Sequence, residues 1–424
     1  MKLLLSVLAL AAGSVAAETV APIVSYAAQE QVVDGQFVVV FNEGAMAEFK
    51  QAVTAIRRHR VSGLSHADIS EVNVNDKFLA ISGTFTTEQI EALRRFNGVQ
   101  YLEQAAVFRA DTEEDFRRGP LQVQECADVD GECTWNLDRI DQASLPLNEK
   151  YFYRETGEDV DVYVIDSGVN TRAPTFEGRA KHGVCFDPVT GRENPSIRGC
   201  GTDCMGHGTH VAGTIADKVY GVAKKSNIIG VKMLSCNGFG ATAGTLNSIA
   251  WVTEQHQKSG KKFSVANMSI GGPFSVATNN AIAAGTDVGV VFVTSAGNSG
   301  SDACHGSPAS AAAAITVGAT DKHDNFASFS NHGRCVDVLA PGVNVRSLRN
   351  TPWEKDAVPR GSLVASGTSM AAPNVAGAVA LTIASEGEKL KDAHAVIEYQ
   401  LETKVVHGKI QPRGDTRDAL LHAI

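Results

Sequence analysis

Past its first 17 residues the chain has no predominantly apolar run of membrane-spanning length, since its long uncharged stretches, 263–286 and 361–385, are broken by Gly, Ser, Thr, Asn and Pro; a spanning helix needs about 20 mostly apolar residues. It also lacks a basic excess. Lys and Arg number 38 against 47 Asp and Glu, for a net charge of −9. That balance argues against nucleic acid or an anionic membrane as the main partner, because both are bound through clustered positive charge. No internal repeat is visible, so a repeat array is not expected. What is present is 424 residues, 43% of them hydrophobic. That is enough for a sizeable core and for two to three domains, or one large domain with an extra piece. Forty glycines imply many tight turns and close backbone approaches.

The chain opens "MKLLLSVLALAAGSVAAET". One Lys, a short apolar run and small residues near position 17 make residues 1–17 a secretory signal peptide, with a buried N-terminal helix as the alternative. The mature protein is therefore expected to be soluble and secreted. Eight cysteines fit that compartment: Cys126, Cys133, Cys185, Cys200, Cys204, Cys236, Cys304 and Cys335. An even number in an oxidising environment reads as up to four disulfides. Zinc is the rival reading, since Cys200 and Cys204 are close and His207 is near. No second close pair completes a zinc pattern.

Residues 32–110 pattern as a small α+β unit. Strands are expected at 36–41, 77–85 and 99–108, and helices at 45–59 and 86–96. Phe49, Val53 and Ile56 share one side of the first helix. Thr86 and Gln89 stand in capping-box spacing at the start of the second. A polar stretch from 109 to 133 reads as an exposed linker or processing region. From about 135 onward, continuous apolar runs ("DVYVIDSG", "IIGVKML", "FSVANMSIGG", "VGVVFVTSAGN", "AITVGAT") alternate with small-residue helices. That alternation means a mostly parallel sheet covered on both faces.

The ends of those strands carry the chemistry. Asp166 closes a buried strand at the edge where sites form in open α/β sheets, although a lone Asp there also serves as a plain cap. His207 opens the helix "GHGTHVAGTIA", and His210 follows on its inner side. Either alone reads as a structural histidine. Asn298 ends another apolar strand between glycines, suited to turn work or to donating to a developing negative charge. Ser369 lies in "SGTSMAAPNVAG", just ahead of an apolar helix in which Pro373 is expected in the first turn. A serine at a helix N-terminus stands beside free N–H groups and a positive dipole end. Asp, His and Ser in that order, with an Asn, fit one mechanism. His207 takes the Ser369 proton, Asp166 orients the imidazole, and Asn298 with the Ser369 N–H holds the oxyanion.

These motifs resemble the subtilisin-like serine proteases, most closely the proteinase K and aqualysin branch. "VYVIDSGV", "GHGTHVAGTIA", "NMSIGG", "VTSAGNSG", "SPAS", "SFSNHGRCVDVLAPG" and "SGTSMAAPNVAG" stand in the family's order. The resemblance implies an α/β, three-layer fold with a central mostly parallel sheet. It also implies a preceding ferredoxin-like propeptide domain. The implied boundaries are 1–17 signal peptide, 18–110 inhibitory propeptide, 111–133 processing region and 134–424 catalytic domain. The implied activity is a secreted endopeptidase of broad specificity with apolar or aromatic P1 residues. It would be a monomer whose partners are protein and peptide substrates and its own propeptide.

The triad would be Asp166, His207 and Ser369, with Asn298 as the oxyanion residue. Gly238, Phe239, Gly240 and Ala241, and Ser269, Ile270, Gly271 and Gly272, would form the two edges that bind extended substrate by strand addition. The family pattern pairs Cys204 with Cys236 and Cys304 with Cys335. Proximity then suggests Cys185 with Cys200 and Cys126 with Cys133. Structural calcium is implied at Asp337 with the carbonyls of Ala312 and Ala314, where a plain surface Asp is the alternative.

Two positions depart from the family pattern. Asn374 stands where its members usually have His, and Val211 where the proteinase K relatives have Cys. "NMS" at 267–269 is a formal glycosylation sequon, expected to be buried and unmodified. Self-cleavage is expected between about 109 and 127, with the dibasic pair Arg117–Arg118 offering a trans-acting protease a rival site. A second reading is a self-processed protein that keeps its prodomain and acts by binding other proteins. An α/β-hydrolase lipase is disfavoured, since Ser369 lies in G-T-S-M-A rather than G-x-S-x-G.

Overall fold

Period-two apolar runs in the first hundred residues build a sheet with two different faces. The structure, a computed structural model, describes residues 20–26, 31–57, 69–111, 134–350 and 361–423. In the N-terminal unit, β1 (Ile23–Val24) and β2 (Val32–Phe41) precede α1 (Met46–Arg57), β3 (Ile69–Val74), β4 (Phe78–Thr84), α2 (Thr87–Arg94) and β5 (Val99–Ala110). The strands lie in the order β5-β2-β4-β3, antiparallel throughout, with β1 parallel to β5.

Alternation sorts their side chains. Val39, Phe41, Leu79, Ile81 and Leu102 pack under Phe49, Val53, Ile56 and Leu93 of the helices. Val38, Val40, Val72, Val74 and Phe78 face the other way, toward the larger unit. Thr86 and Gln89 do form a capping box. The sequence patterns missed β1 and β3. The first has two residues. The second, "ISEVNV", buries only Ile69, Val72 and Val74 of its six, so its alternation is broken. The last two residues of the first expected helix, 58 and 59, lie outside the described residues.

The larger unit runs from α3 (Trp135–Ile140) through β6 (Asp161–Asp166), β7 (Ala180–Cys185), α4 (His207–Ala216), β8 (Asn227–Lys232) and β9 (Phe239–Ala241). It continues through α5 (Thr242–Ser259), β10 (Ser264–Met268), β11 (Ile270–Pro273), α6 (Val276–Thr286), β12 (Val290–Ser295), β13 (Gly306–Ser307), β14 (Ala314–Thr320) and β15 (Val338–Pro341). It closes with β16 (Val345–Leu348), β17 (Ser362–Ala365), α7 (Thr368–Glu386), α8 (Ala393–Thr403), β18 (Val405–Val406) and β19 (Leu420–Leu421).

Nine strands form one sheet in the order β7-β8-β6-β10-β12-β14-β15-β19-β18. Every pair is parallel except β18–β19. Val162, Val164, Val265, Val293 and Val317 point to the layer of α4, α7 and α8. Tyr163, Ile165, Ala266, Met268 and Phe292 point to α5 and α6. The result is three layers. From β6 the chain goes out to the edge strand β7, returns to β8 beside β6, and then crosses to β10 on the other side. The C-terminal ends of β6 and β10 therefore flank the switch point where α/β sheets hold ligands.

One local expectation is corrected here. α7 begins at Thr368, so Pro373 lies in its second turn, inside the helix. Its ring nitrogen cannot donate to the Ser369 carbonyl four residues back. Ser269 Oγ donates to that carbonyl instead, at 3.0 Å, which makes the proline tolerable.

Candidate active site

Asp166 ends β6 fully buried, and His207 opens α4, also fully buried. His207 Nδ1 stands 2.8 and 2.9 Å from the two Asp166 carboxylate oxygens. The approach needs Gly208: a Cβ there would lie 2.1 Å from the Gly168 carbonyl. Burial pulls the His207 imidazole toward neutrality, but the Asp166 charge and hydrogen bond together outweigh it and raise its pKa above the usual 6.5. His210, one turn on, contacts the Leu363 carbonyl through Nε2 at 3.1 Å. Burial pushes it down to about 3, so it is a neutral structural histidine.

A second carboxylate braces this corner. Asp203 Oδ1 accepts hydrogen bonds from Ser167 Oγ, Met205 N–H and Gly206 N–H at 2.8–3.0 Å. Its Oδ2 accepts from Thr209 N–H at 2.9 Å and Thr209 Oγ1 at 2.7 Å. It thereby holds the turn that presents His207 and satisfies amides that the start of a helix leaves without partners. Lys232, buried at the end of β8, donates to the carbonyls of Ser167 and Leu234 at 2.7 and 2.6 Å. Burial pushes its ammonium down to about 8 against the pull of Asp203 and Asp166. Sequence reasoning missed Asp203, Ser167, Thr209 and Lys232. A charged residue closing the apolar run "IIGVK" and an Asp four residues before His207 were the available signals.

Ser369 is buried at the start of α7. Its N–H, one of the four that a helix leaves unpaired, donates to the Asp111 carbonyl at 3.1 Å. Its Oγ donates to the Ser269 carbonyl at 3.0 Å. Asn298, three residues past β12, has its amide orientation set by Thr368, whose N–H and Oγ1 both donate to Oδ1 at 2.9 Å. The Asn298 Nδ2 is buried and has no hydrogen-bond partner among the described residues. It is a free donor beside the Ser369 helix.

The two expected edges border a strand of the chain itself. The far end of β5 lies between β9 and β11. Val107, Phe108 and Arg109 pair antiparallel with Ala241, Gly240 and Phe239. Arg109 and Ala110 pair with Gly271 and Ile270. Ala110 N–H donates to the Gly238 carbonyl and Asp111 N–H to that of Ser269, each at 3.3 Å. Phe108 is fully buried, and a Cβ on Gly272 would stand 3.0 Å from its ring. The Arg109 guanidinium stacks 4.9 Å above the Phe239 ring. Elsewhere on this interface, Glu103 accepts from Ser275 Oγ and the Ala277 N–H at the start of α6.

Disulfides join Cys185 to Cys200, Cys204 to Cys236 and Cys304 to Cys335. Both cysteines of the zinc alternative are thus committed to disulfides. Cys126 and Cys133 lie outside the described residues, as do residues 1–17. The sequon asparagine, Asn267, is buried within β10 and donates to Ser269 Oγ at 2.9 Å.

At the expected calcium position, Asp337 lies alongside β14. Its N–H donates to the Thr316 carbonyl, and its Oδ2 accepts from the Thr316 N–H at 2.8 Å. Burial pushes the carboxyl up to about 6. The half-buried Asp337 carboxylate offers the kind of hard oxygen donor that calcium takes.

Comparison with known proteins agrees with this geometry. The peptidase S8 model, described as the subtilase family, matches residues 157–415. Alkaline serine exoprotease A of Vibrio alginolyticus is 37% identical over 394 residues, covering 92% of this chain and 67% of the relative. The extracellular serine proteinase of Thermus sp. (strain Rt41A) is 38% identical over 362 residues, covering 85% and 83%. The crystal structure of a cold adapted subtilisin-like serine proteinase aligns with a TM-score of 0.61 at 40% identity, over 69% of this chain and 99% of that one. The chain belongs to the subtilase family, in its proteinase K-type branch, and is a subtilisin-like serine endopeptidase.

Proposed function

We propose that Ser369 is the nucleophile, His207 the general base and Asp166 the carboxylate that orients and stabilises the imidazolium. Ser369 N–H and Asn298 Nδ2 are the oxyanion donors. One observation carries this reading: a peptide carbonyl, that of Asp111, accepts the Ser369 N–H while its strand is hydrogen-bonded to both edges. Rotation about the Ser369 Cα–Cβ bond, away from the Ser269 carbonyl, brings Oγ to bear on that carbonyl carbon. The Oγ proton passes to His207 Nε2 and on to the leaving amine. An acyl-enzyme remains, which water hydrolyses through the same base. Asp166 fixes the tautomer by accepting Nδ1–H. The two oxyanion donors stabilise charge present only in the tetrahedral state.

Substrates are proteins and peptides bound as added strands against Gly238–Ala241 and Ser269–Gly272. The resemblance implies apolar or aromatic P1 residues. The chain's own residue beside Ser369 is instead Asp111, and the closed apolar contact falls three residues earlier, at Phe108. Residues 18–110 act as propeptide, chaperone and inhibitor, since their last strand fills the cleft. The signal peptide at 1–17 directs secretion, and the mature enzyme works as an extracellular monomer. Among the described residues no helix is long and apolar enough to cross a membrane. Calcium at Asp337, Ala312 and Ala314 is structural.

Ser369→Ala tests the assignment. Loss of a subtilisin-type nucleophile costs about 10⁶ in kcat, and casein or peptide hydrolysis near the wild-type rate would refute it. The filled cleft also favours the second reading, a protein that keeps its prodomain and acts by binding. Purified mature chain that binds but turns over no peptide, once freed of residues 18–110, would favour that reading.

A further inference from the structure

Asp111 stands at the end of the cleft strand in a setting that the protease fold alone does not require. Its carbonyl receives the Ser369 N–H at 3.1 Å, and its own N–H reaches the Ser269 carbonyl at 3.3 Å. Its side chain turns into the pocket beside the Ser369 helix. There Ser295 Oγ, at the end of β12, donates to Oδ2 at 2.7 Å, with the Ile270 carbonyl 3.4 Å from the same hydroxyl. Gly271 forms the facing wall, where a Cβ would stand 2.7 Å from Oδ2. Ser295 is 1% exposed, and among the described residues its hydroxyl is otherwise near only that carbonyl. The contact is therefore a built polar one within an otherwise small-residue pocket. The pair Arg117–Arg118 lies outside the described residues.

We propose that self-cleavage occurs at the Asp111–Thr112 bond, and that Ser295 is the specificity-determining residue that lets the P1 pocket accept a carboxyl or carboxamide side chain. This rests on the self-processing by Ser369 proposed above. Ser369 Oγ bonds to the Asp111 carbonyl carbon and the bond to the Thr112 nitrogen breaks. The Oγ proton, carried by His207, leaves on that amine. Water then restores Ser369 and leaves Asp111 as a new C-terminus. The Ser295 hydroxyl supplies the donor without which a buried carboxyl in a narrow pocket would be unpaired. Burial raises the Asp111 carboxyl to about 6, while Ser295 and His207 pull it down and Asp166 adds to the rise. The pocket thus receives the acid most readily when it is protonated or amidated, and the hydroxyl serves all three forms.

Two measurements on the full chain test this. Intact mass of the N-terminal fragment released from wild type is expected to end at Asp111; an end at Arg118, or at any other residue, overturns the bond. Peptides of sequence Val-Phe-Arg-Ala-X-Thr with X as Asp, Asn or Phe are then assayed with mature enzyme. Ser295→Ala is expected to lower the Asp:Phe and Asn:Phe ratios of kcat/KM by about tenfold, the cost of one hydrogen bond to a charged or polar group. Ser295→Thr, which keeps the hydroxyl, is expected to restore them. Ratios unchanged in Ser295→Ala overturn the role of Ser295. Ser369→Ala separates the levels. If it is cut at the wild-type bond, self-processing itself fails. If it stays uncut while the wild-type fragment ends elsewhere, only the present inference fails.

Discussion

Asp203→Ala would remove the acceptor of five buried hydrogen bonds at one stroke. Two of the donors are hydroxyls, Ser167 Oγ and Thr209 Oγ1, which can rotate. The other three are the backbone N–H groups of Met205, Gly206 and Thr209, fixed by the turn into α4 and without intrahelical acceptors. At about 1–3 kcal/mol for each buried donor left unsatisfied, the three together cost about 3–9 kcal/mol. Water entering the vacated space offsets part of that. A net loss of about 3–5 kcal/mol is expected, in line with breaking a buried charged network. It is a large share of the roughly 5–15 kcal/mol that holds a domain together. The measurement is urea unfolding followed by Trp fluorescence, in a Ser369→Ala background so that autolysis does not intrude. In the active chain the same change is expected to lower kcat, because the loosened turn carries His207. Asp203→Asn should fall between, since its amide keeps one acceptor but presents N–H to other N–H donors. A loss under about 1 kcal/mol with an unchanged m-value would refute the reasoning, by showing that those amides find other acceptors.

Asp166→Asn is expected to lower kcat about 10³–10⁴-fold with the fold intact, because the amide favours the wrong His207 tautomer; wild-type kcat in this variant would remove Asp166 from the mechanism. The raised His207 pKa places the acid limb of the kcat/KM profile above pH 6.5, with activity gained as pH rises and the base loses its proton; a limb well below 6.5, measured over pH 4–9, would contradict the pairing with Asp166. For Asp337, the folded pKa of about 6 exceeds the ordinary 3.8, so the folded state favours the protonated form and loses stability as pH rises from about 4 through 6. Calcium bound at that carboxylate, as proposed, would reverse the loss, so EDTA is expected to lower the melting temperature more at pH 8 than at pH 5. Equal shifts, or none in protein shown beforehand to hold calcium, would remove the site. Non-reducing peptide mapping is expected to recover the Cys204–Cys236 and Cys304–Cys335 links. They span 32 and 31 residues, each worth about 4 kcal/mol in the chain-entropy picture, and free thiols there would contradict the pairing.

Much of the fold was legible because it is local. A parallel-sheet strand buried on both faces is apolar over most of its length, as "VYVI" and "VVFV" are, and a capped helix announces itself as Thr86 and Gln89 do. The broken alternation of "ISEVNV" hid β3 for the same reason in reverse: a strand with one intermittently buried face carries little pattern. By itself the sequence determined which strand end carries Asp166, which helix opens on His207, and that Ser369 stands beside unpaired amides. Those follow from the chain a few residues either side. Only the tertiary structure decided what meets across long separations. Asp166 and His207 lie 41 residues apart, and the Ser369 carbonyl bonds Ser269 across 100, which is how a proline fits inside α7. Asp203 and Lys232 look like ordinary charged residues until the fold withdraws water from them and leaves backbone groups as their partners. Asp111 reads as the start of a polar linker because nothing in its neighbours specifies β9, β11 or Ser295. Its position in the cleft is a product of strand pairing and pocket shape, which exist only once the two units are folded against each other.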